Sequence, residues 1–173
     1  GRAVLGIGGA WFEREHDAFG IDFGATVGER LDRLDEAVML MRRLLDGERF
    51  SHQGRFYTFE DALCEPRPVQ RRLPILVGGS GPRKTLRTVA LRADGWNTSG
   101  SLEEVEGRLR ILGEHCSDVG RDLAAIEKTI SFPILIRDDR AEAERVFADH
   151  LAINGAESMG NGPVLCGSPA ELA

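Results

Sequence analysis

A chain of 173 residues with 42% apolar content has enough apolar volume for a single core, so it is one domain or part of one. A net charge of −6 with the signs interspersed leaves no basic face to neutralise phosphates, which argues against nucleic acid as a partner, and no apolar run reaches the roughly 18 residues of a membrane span. Cys64, Cys116 and Cys166 are odd in number and lack C-x-x-C spacing, so neither a disulfide framework nor a metal site is expected, and a reducing cytoplasmic setting fits.

Arg2 to Ile7 reads as a strand closing on Gly6-x-Gly8-Gly9, and the polar stretch up to Gly20 reads as a long loop. From Glu29 onward, Leu31, Leu34, Val38, Met41 and Leu45 recur at steps of three and four, which predicts a helix ended by Gly47. Residues 48–72 mix aromatics with turn formers and contain Pro66-Arg67-Pro68. They read as an insertion between βα units, with a hairpin around Gln53-Gly54.

Pro74 to Val77 is a buried strand by its β-branched content, Gly78-Gly79-Ser80-Gly81 is a tight turn, and Pro82 stands at the first position of a helix carrying Leu86, Val89, Ala90 and Ala93. Asp94-Gly95 turns into a short Trp96-Asn97 strand. Ser101-Leu102-Glu103-Glu104 is a capping box for a helix with Val105, Leu109, Leu112 and Cys116 on its apolar stripe. Ile126 to Ile136 is a strand region interrupted near Pro133, and Asp139-Arg140-Ala141-Glu142 caps a helix with Val146, Phe147 and Leu151. Gly155 to Gly162 reads as a flexible loop, Val164 to Cys166 as a last extended piece, and Ser168-Pro169-Ala170-Glu171 as another capping signature. The chain opens on a strand without Met and stops at a helix just starting, so both ends are expected to be cut.

Repeated β-α units with short connections predict a parallel sheet covered by helices. An open doubly wound sheet and a closed barrel both satisfy that pattern, and periodicity alone does not choose between them.

Candidate chemistry concentrates at strand ends. After the strand at Val77, the glycines of Gly78-Gly79-Ser80-Gly81 leave backbone N–H groups exposed, and the following helix adds the positive end of its dipole, a combination suited to phosphate. Arg83, Lys84 and the hydroxyls of Ser80 and Thr85 are available to reinforce it, although only one or two can point there. The segment matches neither a Walker A loop nor the full dinucleotide fingerprint, and such glycines also serve simply as a tight βα turn. Trp96-Asn97-Thr98-Ser99-Gly100 is a second polar strand end, with Thr98 the better ligand candidate and Ser101 a helix cap. At Gly8-Gly9-Ala10, Trp11 and Phe12 either wall a pocket or pack in the interior. Glu13, Glu15, His16 and Asp17 suggest acid-base or metal chemistry by type, but their spacing is no metal-ligand signature and a solvated loop face is the default reading. His52, His115 and His150 read as isolated, and Glu29, Asp32, Asp35 and Glu36 among Arg30, Arg33, Arg42 and Arg43 read as ion pairing on one helix surface.

Taken in order, Leu5-Gly6-Ile7-Gly8-Gly9-Ala10-Trp11-Phe12-Glu13-Arg14-Glu15-His16, Ala18-Phe19-Gly20, Gly28-Glu29-Arg30-Leu31-Asp32-Arg33-Leu34-Asp35-Glu36, Gly54-Arg55-Phe56-Tyr57, Pro66-Arg67-Pro68-Val69-Gln70, Pro74-Ile75-Leu76-Val77-Gly78-Gly79-Ser80-Gly81 and Ala93-Asp94-Gly95-Trp96-Asn97 closely resemble the luciferase-like monooxygenases, in particular the branch dependent on coenzyme F-420. The likeness runs from Arg2 to at least Asn97 and is mainly architectural from Ser101 onward.

The resemblance implies an α/β (β/α)8 TIM barrel, of which residues 1–173 are the C-terminal portion, about strands 4 to 8. Such a barrel usually takes roughly 250 residues. It further implies a flavin-type ring at the barrel mouth, with its phosphate held by Gly78, Gly79, Ser80 and Gly81 and by Asn97 and Thr98. The cofactor is then coenzyme F-420, carrying a hydride to or from an unknown organic substrate, or alternatively FMN in a monooxygenase that uses reduced flavin and oxygen. A relative that binds the cofactor without turnover, and an open doubly wound nucleotide-binding domain, are the other readings. Acid-base residues in F-420-dependent relatives come from strands preceding this segment, and where some relatives carry a carboxylate this chain has Gly9, so no catalytic residue is assigned. The resemblance also allows a homodimer, with the segment Phe56 to Leu63 serving either that or the barrel core. Unpaired strand edges predict that this piece alone folds poorly and is inactive.

Overall fold

The computed structural model describes residues 1–155 and 163–173. The chain divides into two compact units, residues 1–97 with 108–129 and residues 98–107 with 130–173.

The first unit begins with strand β1 (Leu5–Gly8) and helices α1 (Glu13–Phe19) and α2 (Val27–Leu45). A hairpin of β2 (Phe50–Gln53) and β3 (Thr58–Ala62) follows, then β4 (Ile75–Gly78), α3 (Thr85–Arg92) and β5 (Gly95–Thr98). Helix α4 (Leu102–Asp118) leads to β6 (Glu127–Ile130). The strands order as β1-β4-β5-β6 in one sheet, with β1 parallel to β4 and β4 parallel to β5. The register sets Gly8 opposite Gly78 and Gly78 opposite Asn97, so the C-terminal ends of three strands lie level.

Helix α2 starts where Thr26 accepts the N–H of Glu29, just ahead of the apolar repeat that opens at Leu31. Its buried stripe, Leu34 and Val38, packs with Ile75 and Val77 of β4, with Leu86, Val89 and Ala90 of α3, with Trp96 of β5 and with Leu112 and Cys116 of α4. Truncating one of these fully buried aliphatic side chains to alanine costs about 2–5 kcal/mol in a core of this kind. The C-terminal carbonyls of α3 are closed by Arg121, whose guanidinium donates to Val89, Ala90 and Ala93.

Two local expectations are corrected. The stretch before Gly20 is not all loop, because Glu13–Phe19 forms a helix. It has no buried residue, hence no apolar periodicity to reveal it, and it is ended by Gly20 in the left-handed region, where the N–H groups of Gly20 and Ile21 return to Asp17 and His16. Helix α3 opens at Thr85 rather than at Pro82. Its first turn closes on the Gly81 carbonyl, which accepts from Leu86 at 3.1 Å, and Lys84 is drawn toward α2 by the Gly28 carbonyl and Asp32.

The hairpin around Gly54 forms and is anchored by Glu36 of α2. That carboxylate accepts from the N–H groups of Phe56 and Tyr57 at 3.2 Å each and lies 3.1 Å from His52 Nε2. Its partners hold the Glu36 carboxyl below the usual carboxylate range even though burial pushes it up. A Cβ at Gly54 would stand 1.8 Å from Glu36 Oε1, so the turn needs glycine to approach this closely. Glu36→Ala is expected to lower stability by about 1–2 kcal/mol, read as a lower urea midpoint, because two amides lose a charged acceptor.

In the second unit, β7 (Ile134–Ile136) pairs parallel with β8 (Leu165–Gly167). Helix α5 (Arg140–Asn154) is capped by Asp139, and α6 (Pro169–Leu172) by a Ser168–Glu171 capping box. Ser101 and Glu104 exchange the bonds of the expected box at the start of α4. The expected loop from Gly155 to Gly162 lies, beyond Gly155, outside the described residues. Among the described residues no helix is long and apolar enough to cross a membrane.

Candidate functional site

The level strand ends of the first unit put one glycine-rich turn, residues 78–81, at the end of β4. Gly79 has φ +137°, a conformation that L side chains rarely adopt, and a Cβ there would meet Thr85 Cγ2 at 3.1 Å. The turn is held from below on both sides of that residue. The Gly79 N–H donates to the Asn97 carbonyl at 3.0 Å, and the Gly79 carbonyl accepts from Trp96 Nε1 at 2.8 Å. Trp96 itself is buried, with 1% of its surface exposed. Farther along, His115 of α4 lies with Nε2 2.8 Å from the Pro82 carbonyl, to which it donates.

This bracing decides which groups are available to a ligand. The Gly79 N–H is spent within the protein, whereas the N–H groups of Ser80 and Gly81 have no acceptor among the described residues. Ser80 and Arg83 are exposed. Thr85 is buried beneath the turn, and Lys84 is committed to Asp32 and the Gly28 carbonyl. Of the four reinforcing side chains the sequence suggests, Ser80 and Arg83 therefore remain. Asn97 contributes its carbonyl to Gly79 and its side-chain amide to Thr129 Oγ1 at 2.9 Å. Thr98 belongs to the second unit and is buried, its hydroxyl donating to the Ser99 carbonyl at 3.4 Å.

At the end of β1, Trp11 and Phe12 are 79% and 44% exposed, which removes the reading of interior packing for both; their rings meet each other at 5.2 Å. Ala10 beside them has φ +59°, uncommon for a residue with a Cβ. Glu13, Glu15 and Asp17 are exposed on α1, and among the described residues no group of His, Cys, Asp and Glu is placed to hold a metal ion.

The charged residues of α2 correct the reading of simple surface pairing along one helix. Glu29 with Arg33 is such a pair, but Asp35 binds Arg92 and Thr88 of α3 at 2.9–3.0 Å, and Arg42 binds Asp94 and the Leu73 carbonyl. Burial pushes the Asp35 carboxyl up, but Arg92 and Thr88 outweigh it and hold it below its ordinary value. Likewise His52 and His115 are structural bonds rather than isolated rings. Sequence spacing carries no signal for these ties, because each partner comes from a distant segment. The same holds for Trp96, whose indole the sequence shows only as an apolar strand residue.

Residues 1–169 match the family model described as luciferase-like monooxygenase. An F-420-dependent glucose-6-phosphate dehydrogenase of Kineococcus radiotolerans is 36% identical over 146 residues, covering 83% of this chain and 42% of that protein. An FMNH2-dependent dimethylsulfone monooxygenase of Pseudomonas putida is 26% identical over 161 residues, covering 92% of this chain and 43% of that protein. Among solved structures, an F-420-dependent secondary alcohol dehydrogenase bound to an F-420–acetone adduct superposes with a TM-score of 0.73 at 22% identity, over 92% of this chain and 48% of that one. The chain thus spans less than half the length of each of these relatives, and it shares the α/β fold of luciferase-like (β/α)8 barrels in a match that fits a C-terminal portion. Strand order, level strand ends and the match over nearly the whole chain agree: this chain belongs to the luciferase-like monooxygenase family.

Proposed function

We propose that the glycine turn of this chain holds the phosphate of coenzyme F-420 in an oxidoreductase that moves a hydride to or from a small organic substrate. The observation that carries this reading is the pair of N–H groups at Ser80 and Gly81 that have no acceptor among the described residues, presented by a turn that Asn97 and Trp96 keep in place. Donors fixed before the ligand arrives lose little entropy on binding and suit an oxyanion. The turn fits a phosphate sterically as well: Gly78, Gly79 and Gly81 put no side chain over it, and Ser80 and Arg83 are exposed beside it. When bound, the deazaflavin ring supplies the hydride chemistry, and the residues described here fix its position. No acid or base is assigned among them.

FMN is the second reading, favoured by the likeness to the Pseudomonas putida enzyme, whose name states dependence on FMNH2. The phosphate is common to both cofactors, so the turn serves either one.

The test is a titration of the full protein carrying this chain with coenzyme F-420 and with FMN, in wild type and in Ser80→Asp. Position 80 is chosen over 79 because a side chain at φ +137° would strain the turn by itself. The expected result is F-420 binding that falls at least about tenfold in Ser80→Asp, since a carboxylate would face the phosphate at close range. Preference for FMN with the same sensitivity moves the protein to the monooxygenase reading. Binding that is indifferent to Ser80→Asp removes the turn from the account.

A further inference from the structure

We infer that a cavity at the end of β1, within the first unit, binds the anionic head of a small organic substrate through the guanidinium of Arg30. The inference deepens the cofactor reading above, on which it rests for the word substrate.

The cavity measures about 250 Å3 and is bounded by Gly8, Gly9 and Ala10 at the strand end, by Phe23 and Tyr57 as aromatic walls, and by Arg30. Its place is that of a ligand in a parallel α/β sheet, beyond the carboxyl end of a strand. Gly8 pairs in register with Gly78, which begins the proposed phosphate turn, so cavity and turn sit at neighbouring strand ends.

Charge decides what the cavity takes. Four charged groups cluster on this side of α2: Asp22, Glu29, Arg30 and Arg33. Both carboxylates go to Arg33, whose Nη2 lies 2.6 Å from Asp22 and 2.8 Å from Glu29. Arg30 has no carboxylate partner among the described residues, and its Nε is shielded from solvent with no hydrogen-bond acceptor. Arg33 and Arg42 also have an unpartnered Nε, but carboxylates hold their Nη atoms, so Arg30 is the one of the three left without a counter-charge. The Phe23 ring centroid lies 3.8 Å from the Arg30 guanidinium carbon, a cation–π contact that leaves the guanidinium N–H groups without an acceptor from the ring edge. A guanidinium packed against an aromatic ring, partly buried and short of acceptors matches a carboxylate or phosphate in bidentate geometry. Ile7, Ile21, Leu34 and Ala37 make the apolar part of the wall, and its other polar lining is His16 and the Asp22–Arg33 ion pair, whose charges balance each other; the fitting ligand therefore has an apolar body and one anionic group for Arg30.

The experiment is a titration of the full protein, with its cofactor bound, by benzoate and by phenyl phosphate, read by the arginine Nε–Hε signals in 15N-correlated NMR. Inorganic phosphate serves as the head group alone. We expect the Arg30 signal to shift at saturable ligand concentration, with the aryl anions binding more tightly than inorganic phosphate. Arg30→Gln is expected to weaken binding at least about tenfold, Arg30→Lys to retain part of it, and cofactor affinity to stay unchanged in both. Because the signal is read in wild type, a variant that fails to fold does not remove the test. An Arg30 signal that no probe moves, or affinity equal in Arg30→Gln, overturns the site. Loss of cofactor affinity in Arg30→Lys overturns the assignment to substrate and gives the anion to the cofactor. Failure of the cofactor itself to bind wild type is a separate result, and it counts against the preceding proposal instead.

Discussion

Replacing Trp96 with phenylalanine is expected to lower stability by about 2–3 kcal/mol and to weaken cofactor binding in the same variant. The side chain is 1% exposed and packs in the core with Ile75, Val77 and Leu86, so the smaller ring leaves a cavity. The lost indole N–H also frees the carbonyl of Gly79, which then has one anchor fewer for its unusual φ. These two losses have separate readouts. Urea unfolding reports the cavity, and titration with coenzyme F-420 or FMN reports the turn. A variant that is destabilised yet binds cofactor with unchanged affinity would show that the Trp96 bond does not position the turn. In that case the Asn97 carbonyl alone holds it.

Asp94→Asn is expected to cost about 2–4 kcal/mol. Asp94 closes the connection between α3 and β5, and its carboxylate gathers Arg42 of α2, the Ile75 N–H at 2.8 Å and Arg72 at 2.8 Å. One half-buried group thus ties a helix to the start of β4. Burial pushes its carboxyl up, but the Ile75 N–H and the two arginines outweigh that and hold it below the ordinary value of 3.8.

A carboxyl whose pKa is depressed in the folded state contributes stability above its unfolded value, and that contribution is lost as pH falls through the folded value. Asp94 and Asp35 both shift down, so wild type is expected to hold their contribution above pH of about 4 and to lose it progressively below. Asp94→Asn should flatten that acid limb while leaving the Asp35 part. Unfolding midpoints measured from pH 7 to pH 2.5 check this; a wild-type profile flat through the acid range would contradict the assigned pKa directions.

Much of the local structure was legible in the sequence because it is written in short-range chemistry. The apolar repeat from Leu31 to Leu45 marks α2, the β-branched run at Pro74 to Val77 marks β4, and the Ser101, Asp139 and Ser168 caps mark three helix starts. Helix α1 escaped because a helix with no buried face has no apolar period to display. The start of α3 at Thr85 carries no local signal, since Lys84 just before it bonds to α2 residues more than fifty positions away in the chain.

The sequence by itself determined that residues 78–81 form a glycine turn after a buried strand, since glycine content and the β-branched run are local properties. Only the tertiary structure decided which of that turn's N–H groups remain open, because the Asn97 carbonyl of the neighbouring strand takes the Gly79 N–H, while Trp96 holds the Gly79 carbonyl from the same strand. The same division holds for Arg30. Its place on α2 follows from spacing, but its lack of a counter-charge among the described residues depends on Asp22 and Glu29 both closing on Arg33, and Asp22 comes from the loop preceding the helix. Charge pairing is a property of positions in space, and one-dimensional spacing records it only within a single helix.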